Sequence, residues 1–139
     1  MSTLYEKKLE TLNQTLQKLC YKADQGSLLM VEGRKDEVAL RKLGITGEII
    51  CVKNDSKGVV DFLDEVHECA SEIILLLDFD DYGTALLRKI TQYLEGKPIR
   101  TNSFFWKKIR ATTRGDVTEL EGLPSYLEKL KKHVKTLNV

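Results

Sequence analysis

The stretch Ile73-Ile74-Leu75-Leu76-Leu77-Asp78-Phe79-Asp80-Asp81 decides the fold. Five consecutive branched apolar residues end abruptly in carboxylates, and Gly83 with a helix-like pattern follows. An apolar run of that length without alternation suits a strand buried on both faces of a sheet. The same arrangement occurs upstream in Leu28-Leu29-Met30-Val31-Glu32-Gly33, where the run closes on one glutamate and a glycine. Parallel sheets bind ligands beyond the carboxyl ends of their strands, so Glu32, Asp78 and Asp80 stand where chemistry is expected.

Outward from these two runs the chain alternates helix and strand. Leu4, Leu9, Leu12, Leu16, Leu19 and Cys20 predict an amphipathic helix over 4–23, broken at Gln25-Gly26. Strands are predicted over 27–31, 49–52, 73–77 and 99–102. Helices are predicted over 36–43, stopped by Gly44, over about 58–70 after the turn and cap residues Asn54-Asp55-Ser56, and over 83–94 before Gly96-Lys97-Pro98. Pro124 and Ser125 open a closing helix whose apolar side is Tyr126, Leu127, Leu130, Val134 and Leu137. Short strands separated by helices require crossover connections, and hence a mostly parallel sheet with all strand ends on one rim. Alternation along the strand end turns Asp78 and Asp80 to one side and Phe79 to the other. Such an oxygen-rich pocket suits Mg²⁺, with Mn²⁺ the alternative, because hard cations prefer carboxylates and water.

Composition narrows the classes. A chain of 139 residues with 42% hydrophobic and 31% charged residues predicts one domain with its own core. The net charge of +1 argues neither for nor against nucleic acid. No segment approaches the about 18 apolar residues of a membrane span and no signal-peptide core is present, so no membrane partner and a cytoplasmic location are expected. Cys20, Cys51 and Cys69 lack zinc or redox spacing and read as buried small apolar residues, and His67 and His133 lie in helical patterns without matching partners.

Val31-Glu32-Gly33 after one strand and Asp78-Phe79-Asp80 after a later one, with a strand and helix between, resemble the Toprim domain. Toprim domains are the catalytic modules of topoisomerases, bacterial-type primases and several nucleases. The resemblance covers residues 27–102 as a Toprim core, with an N-terminal helix over 1–24 and a basic segment plus helix over 103–139. It is nearest to the stand-alone small Toprim proteins of archaea and bacteria, and more distant from the maturase that trims 5S ribosomal RNA precursors. It implies an α/β, Rossmann-like, mostly parallel sheet of about four strands flanked by helices. It also implies that Glu32 is a general acid or base and that Asp78 and Asp80 hold Mg²⁺, with Glu32 sharing the metal. Asp81 has a lesser role. Gly33 and Gly83 let backbone approach substrate or metal, or serve a turn. Capping is the competing reading of the acids: Asp80-Asp81 would cap the helix near Gly83, and Glu32 would serve the next helix.

Residues 96–115 segregate charge, with Lys97, Arg100, Lys107, Lys108, Arg110 and Arg114 and no acid. Lysine and arginine neutralise phosphates by counterion release, and an exposed aromatic can stack on an unpaired base. Phe104, Phe105 and Trp106 are expected to be buried. Arg110 and Arg114 are the preferred phosphate contacts, flanking the small segment Ala111-Thr112-Thr113. Arg100, Lys107 and Lys108 join them, and Arg34 and Lys35 read either as phosphate contacts or as surface charge. Lysines of the closing helix are weaker candidates. Asn54 reads as a turn residue. The expected function is Mg²⁺-dependent phosphodiester chemistry on nucleic acid, RNA before DNA, as an RNA-processing nuclease. The alternatives are a non-catalytic protein that holds structured RNA or associates with the ribosome, and a nucleotide-binding regulatory module. A topoisomerase needs a tyrosine and gates on further domains, and Tyr82 alone supplies neither.

Overall fold

The computed structural model describes residues 3–54, 63 and 70–137. Four parallel strands, β1 (Leu28–Val31), β2 (Ile49–Cys51), β3 (Glu72–Leu75) and β4 (Arg100–Asn102), form one sheet in the order β2-β1-β3-β4. Among the described residues, the helices α1 (Leu4–Asp24), α2 (Arg34–Lys42), α3 (Asp81–Leu94), α4 (Phe104–Thr113) and α5 (Leu123–Leu137) flank it. The chain is therefore an α/β protein with an all-parallel, Rossmann-like sheet. No described helix is long and apolar enough to cross a membrane.

The strand order follows from side-chain chemistry. β1 and β3 carry the uninterrupted apolar runs, every residue of both is buried, and they take the two central places. β2 is half-buried at Ile49 and Ile50, and β4 begins with an exposed arginine, so these strands form the edges. Each Leu, Ile or Val moved fully out of water contributes roughly 1.5–3 kcal/mol. Leu29, Met30, Ile73, Ile74, Leu75, Leu76 and Leu77 are each 0% exposed, so the centre of the sheet is the centre of the core.

The ladder of β3 stops at Leu75, earlier than the expected Leu77. The Leu76 N–H still donates to the Met30 carbonyl at 2.9 Å. Beyond it, the indole Nε1–H of Trp106 donates to the Leu77 carbonyl at 3.0 Å and to that of Asp78 at 3.4 Å. The side chain of α4 thus takes over the backbone acceptors at the rim.

Helix α4 occupies residues expected only as a basic segment. Trp106 and Phe105 are 2% and 3% exposed, as expected, but Phe104 is 53% exposed. Of Ala111-Thr112-Thr113, Ala111 is exposed and lines a groove with Arg110 and Arg114, Thr112 is half-buried and Thr113 is buried. The three residues form the last helical turn, with the Thr113 hydroxyl buried and donating to the Ile109 carbonyl. The helix ends at Arg114, which adopts a left-handed φ of 46°.

α1 packs against α4 and α5, while α2 packs on α5 and on the short turn Leu120–Gly122. Cys51 is buried and Cys20 half-buried against the core. The expected helix over 58–70, Asp55, Ser56, His67 and Cys69 lie outside the described residues, apart from Leu63, which is buried, and Ala70.

The amino edge of the sheet has its own polar clamp. Glu72, the first residue of β3, is 6% exposed. Its carboxylate accepts from Ser27 Oγ at 2.7 Å, Lys22 Nζ at 3.2 Å and Asn102 Nδ2 at 3.3 Å, and pairs with Arg100 at 3.4 Å. One side chain thereby ties α1, β3 and β4 together.

Candidate functional site

Glu32 follows β1 directly, and the register that pairs Met30 with Leu75 brings the residues after β1 and β3 to one rim. Glu32 is 3% exposed. Its Oε1 accepts the backbone N–H of Asp78 at 3.3 Å, and its Oε2 lies 3.7 Å from Lys53 Nζ. The Lys53 N–H also donates to the Glu32 carbonyl at 2.9 Å, so the exit from β2 is fastened to the exit from β1.

Asp78 is half-buried, and its Oδ1 accepts the Leu120 N–H at 2.9 Å. Next to it, the Phe79 N–H donates to the Thr118 carbonyl at 2.8 Å, and the Phe79 ring packs on Trp106 with centroids 5.9 Å apart. Phe79 therefore faces the core, as alternation predicts. Asp80 is exposed and caps α3, its Oδ1 accepting the Gly83 N–H at 2.7 Å. Asp81 is exposed in the first turn of that helix.

Gly83 is required by close approach. A Cβ there would lie 1.9 Å from the Asp78 carbonyl oxygen, a distance no side chain tolerates. Only glycine lets the start of α3 seat on the Asp78 backbone. Gly33 is different: its backbone is extended, and a Cβ would meet nothing within 4 Å.

The expected convergence of three carboxylates is looser than predicted. Glu32, Asp78 and Asp80 share the rim, yet among the described residues no group of three His, Cys, Asp or Glu side chains is drawn together tightly enough to hold a metal ion. Each carboxylate has one oxygen fixed by a backbone N–H, from Asp78, Leu120 and Gly83 respectively. Asp78 and Asp80 each present a second, hard oxygen donor. That donor set fits Mg²⁺, which keeps several waters and is commonly held by one or two carboxylates with substrate phosphate.

Asp36 belongs to this rim and escaped the sequence reading. It is 8% exposed, and its Oδ2 accepts the Gly33 N–H at 3.0 Å, which starts α2 at Arg34 rather than at the expected Asp36. A glycine followed three residues later by an acid just before an apolar helix is the signal that could have found it. Burial pushes the Asp36 carboxyl above the ordinary range; the Gly33 bond opposes this, and the charges of Asp78 and Glu121 add to the rise. Burial likewise raises Glu32, helped by the Asp78 charge and opposed by the Asp78 N–H and by Lys53. A buried carboxyl beside another acid, with its proton affinity raised, is suited to proton transfer near neutral pH. Lys53, which no sequence motif marks, stands just past the end of β2 on the same rim. The backbone of Asn54 closes the short turn that follows.

The basic residues divide by place. Lys107, Arg110 and Arg114 follow one helical face and line a groove of about 650 Å³ with Phe79, Trp106, Val117 and Thr118. None of Glu32, Asp78 and Asp80 lines this groove, which meets their segment only at Phe79. The Arg110 guanidinium stacks 5.2 Å from the Trp106 ring centroid. Lys108 is exposed on α4 but does not line the groove. Arg34 and Lys35, in the first turn of α2, line a separate groove of about 530 Å³ with Val38, Lys42, Glu121 and Pro124. Arg100 is not with them: it sits at the amino edge of the sheet, paired with Glu72.

Comparison with known proteins identifies relatives among archaea. A UPF0292 protein of Thermococcus sibiricus is 34% identical over 123 residues, covering 86% of this chain and 90% of the relative. One of Methanocaldococcus jannaschii is 31% identical over 121 residues, covering 86% and 92%. One of Methanosarcina barkeri is 26% identical over 128 residues, covering 92% and 88%. Their names state no activity. No family model matches the sequence. Among solved structures, a protein from Aquifex aeolicus superposes with a TM-score of 0.63 at 21% identity, covering 78% of this chain and 94% of the other. At that identity the likeness is one of fold.

Proposed function

The chain belongs to the UPF0292 family, and we propose that it is a Toprim-type, divalent-metal-dependent enzyme that cuts phosphodiester bonds of nucleic acid in the cytoplasm, RNA before DNA. The observation that carries this reading is the rim itself. Glu32, Asp78 and Asp80 stand at the carboxyl ends of the two central strands, each with one oxygen held by a backbone N–H. Fixed orientation of this kind is what a site for developing charge requires.

In this reading Asp78 and Asp80 would hold Mg²⁺ or Mn²⁺ through their second oxygens, with Glu32 beside them. When bound, such an ion supplies charge neutralisation at the phosphate and lowers the pKa of a water. Glu32, buried and raised in proton affinity, moves the proton. Asp36 and Glu121 keep the rim negative, and the groove of Lys107, Arg110 and Arg114 receives the flanking phosphates.

One observation favours a second reading, a protein that holds structured RNA without cutting it. Asp80 already serves as the cap of α3, and no close three-group metal set is present among the described residues. The deciding experiment recovers nucleic acid bound to the protein in cell extract and incubates it with purified protein and Mg²⁺. Metal-dependent cutting is expected. Retention without cutting would favour the binding protein, and recovery of free nucleotide a regulatory module.

A further inference from the structure

Tyr82 and Lys53 form a pair on the rim that the acidic centre does not account for. Tyr82 is 60% exposed in the first turn of α3, two residues beyond Asp80. Lys53 comes from the other direction, at the exit of β2, with its side chain 61% exposed. Its ammonium lies 5.8 Å from the Tyr82 ring centroid and 3.7 Å from Glu32 Oε2. An aromatic ring left in water at the mouth of a charged site buries nothing in the core, since Gly83 and Leu86 make the inward contacts of that turn.

The charge balance makes Lys53 the more informative partner. Glu32, Asp36, Asp78, Asp80 and Asp81 crowd this rim, and an approaching phosphodiester meets repulsion there. Lys53 is paired with Glu32, and its exposed stem lets the ammonium exchange that carboxylate for a phosphate oxygen without moving the backbone. The Lys53 N–H stays bonded to the Glu32 carbonyl, so the stem pivots on a fixed point. A ring within reach of the same ammonium offers a stacking face to the base attached to that phosphate, and base–aromatic stacking tolerates any sequence.

We infer that the rim takes its substrate as an unpaired nucleotide, with the phosphate on Lys53 and the adjoining base stacked on Tyr82. This rests on the proposed phosphodiester chemistry and narrows it to single-stranded segments, because a base inside a duplex has no free face to offer.

The test is the affinity of labelled single-stranded and fully paired oligonucleotides, measured by fluorescence anisotropy in metal-free buffer so that nothing is cut. Wild type should bind the single strand more tightly than the duplex. Tyr82→Ala should lose at least about fivefold on the single strand, lose nothing on the duplex, and be rescued by Tyr82→Phe. Lys53→Gln should lower the magnitude of the salt slope on the single strand by about 0.7, with Lys53→Arg retaining it. Both positions are exposed, and thermal unfolding checks that the variants remain folded. Equal wild-type affinity for both forms, or Tyr82→Ala and Lys53→Gln binding as wild type does, would overturn this inference and leave the acidic centre standing. Failure of wild type to bind any nucleic acid would remove the proposed function as well.

Discussion

Glu32 and Asp78, beyond the ends of neighbouring strands, are joined through the main chain: Glu32 Oε1 accepts the Asp78 N–H at 3.3 Å. The bond sets the glutamate against the first aspartate of the rim, and the Asp78 charge in turn raises the proton affinity of Glu32. Glu32→Gln keeps an acceptor for that N–H and removes the titratable proton. Nucleic-acid affinity should be nearly unchanged, while single-turnover cleavage falls by ~100-fold or more. Cleavage at the wild-type rate would take Glu32 out of the chemistry.

Asp36 should reveal the strain of the rim through pH. Its carboxyl binds a proton more tightly in the folded than in the unfolded chain, because burial and the Asp78 and Glu121 charges raise it. Above the folded pKa the ionised group therefore costs stability, and the cost disappears as pH falls to the unfolded value of about 4. Asp36→Asn, which can still accept the Gly33 N–H, should melt above wild type at pH 8. The gap should close as pH falls toward 4. A lower melting temperature for the variant at pH 8 would mean that the acid is stabilised where it lies.

Glu72 has the opposite sign. Burial alone would raise its carboxyl, but hydrogen bonds from Ser27, Lys22 and Asn102, with the Lys22 charge, bring it below the ordinary value. Its contribution is present above the unfolded pKa of about 4.3 and is lost as pH falls through the lower folded value. Glu72→Gln should cost about 1.5–3 kcal/mol at pH 7 in urea unfolding, the range for hydrogen bonds to a charged group. The difference should narrow in acid. A neutral substitution at pH 7 would show that the clamp is not a source of stability.

The two ends of the sheet should also differ in binding. Arg110 and Arg114 line the groove beside Phe79, while Arg100 is paired with Glu72 at the amino edge. Arg110→Ala and Arg114→Ala should each reduce the magnitude of the log–log salt slope by about one. Arg100→Ala should leave it unchanged. If only Arg100→Ala changes the slope, the nucleic acid crosses the opposite edge.

The parts of this molecule that were legible in sequence are those governed by unbroken local patterns. The apolar runs 28–31 and 73–77 mark the central strands and bring Glu32 and Asp78 to one rim. Helix α4 was hidden because its inward residues Phe105, Trp106, Ile109 and Thr113 are interleaved with lysines and arginines, which read first as charge. Lys53 and Asp36 gain meaning only from partners distant in sequence or from burial, as do the bonds from Leu120 to Asp78 and from Trp106 to Leu77. Arg100 shares its stretch with the other cations, yet strand direction carries it to the far edge, where Glu72 waits.

Metal binding by the rim is the claim on which the rest depends, and isothermal calorimetry measures it without reference to any substrate. Mg²⁺ or Mn²⁺ titrated into the wild-type protein should give a saturable binding isotherm, because Asp78 and Asp80 each keep one oxygen beyond the one bonded to Leu120 or Gly83. The double variant Asp78→Asn with Asp80→Asn, confirmed as folded, should lose most of that affinity. Equal affinity in the wild type and the double variant would contradict the account.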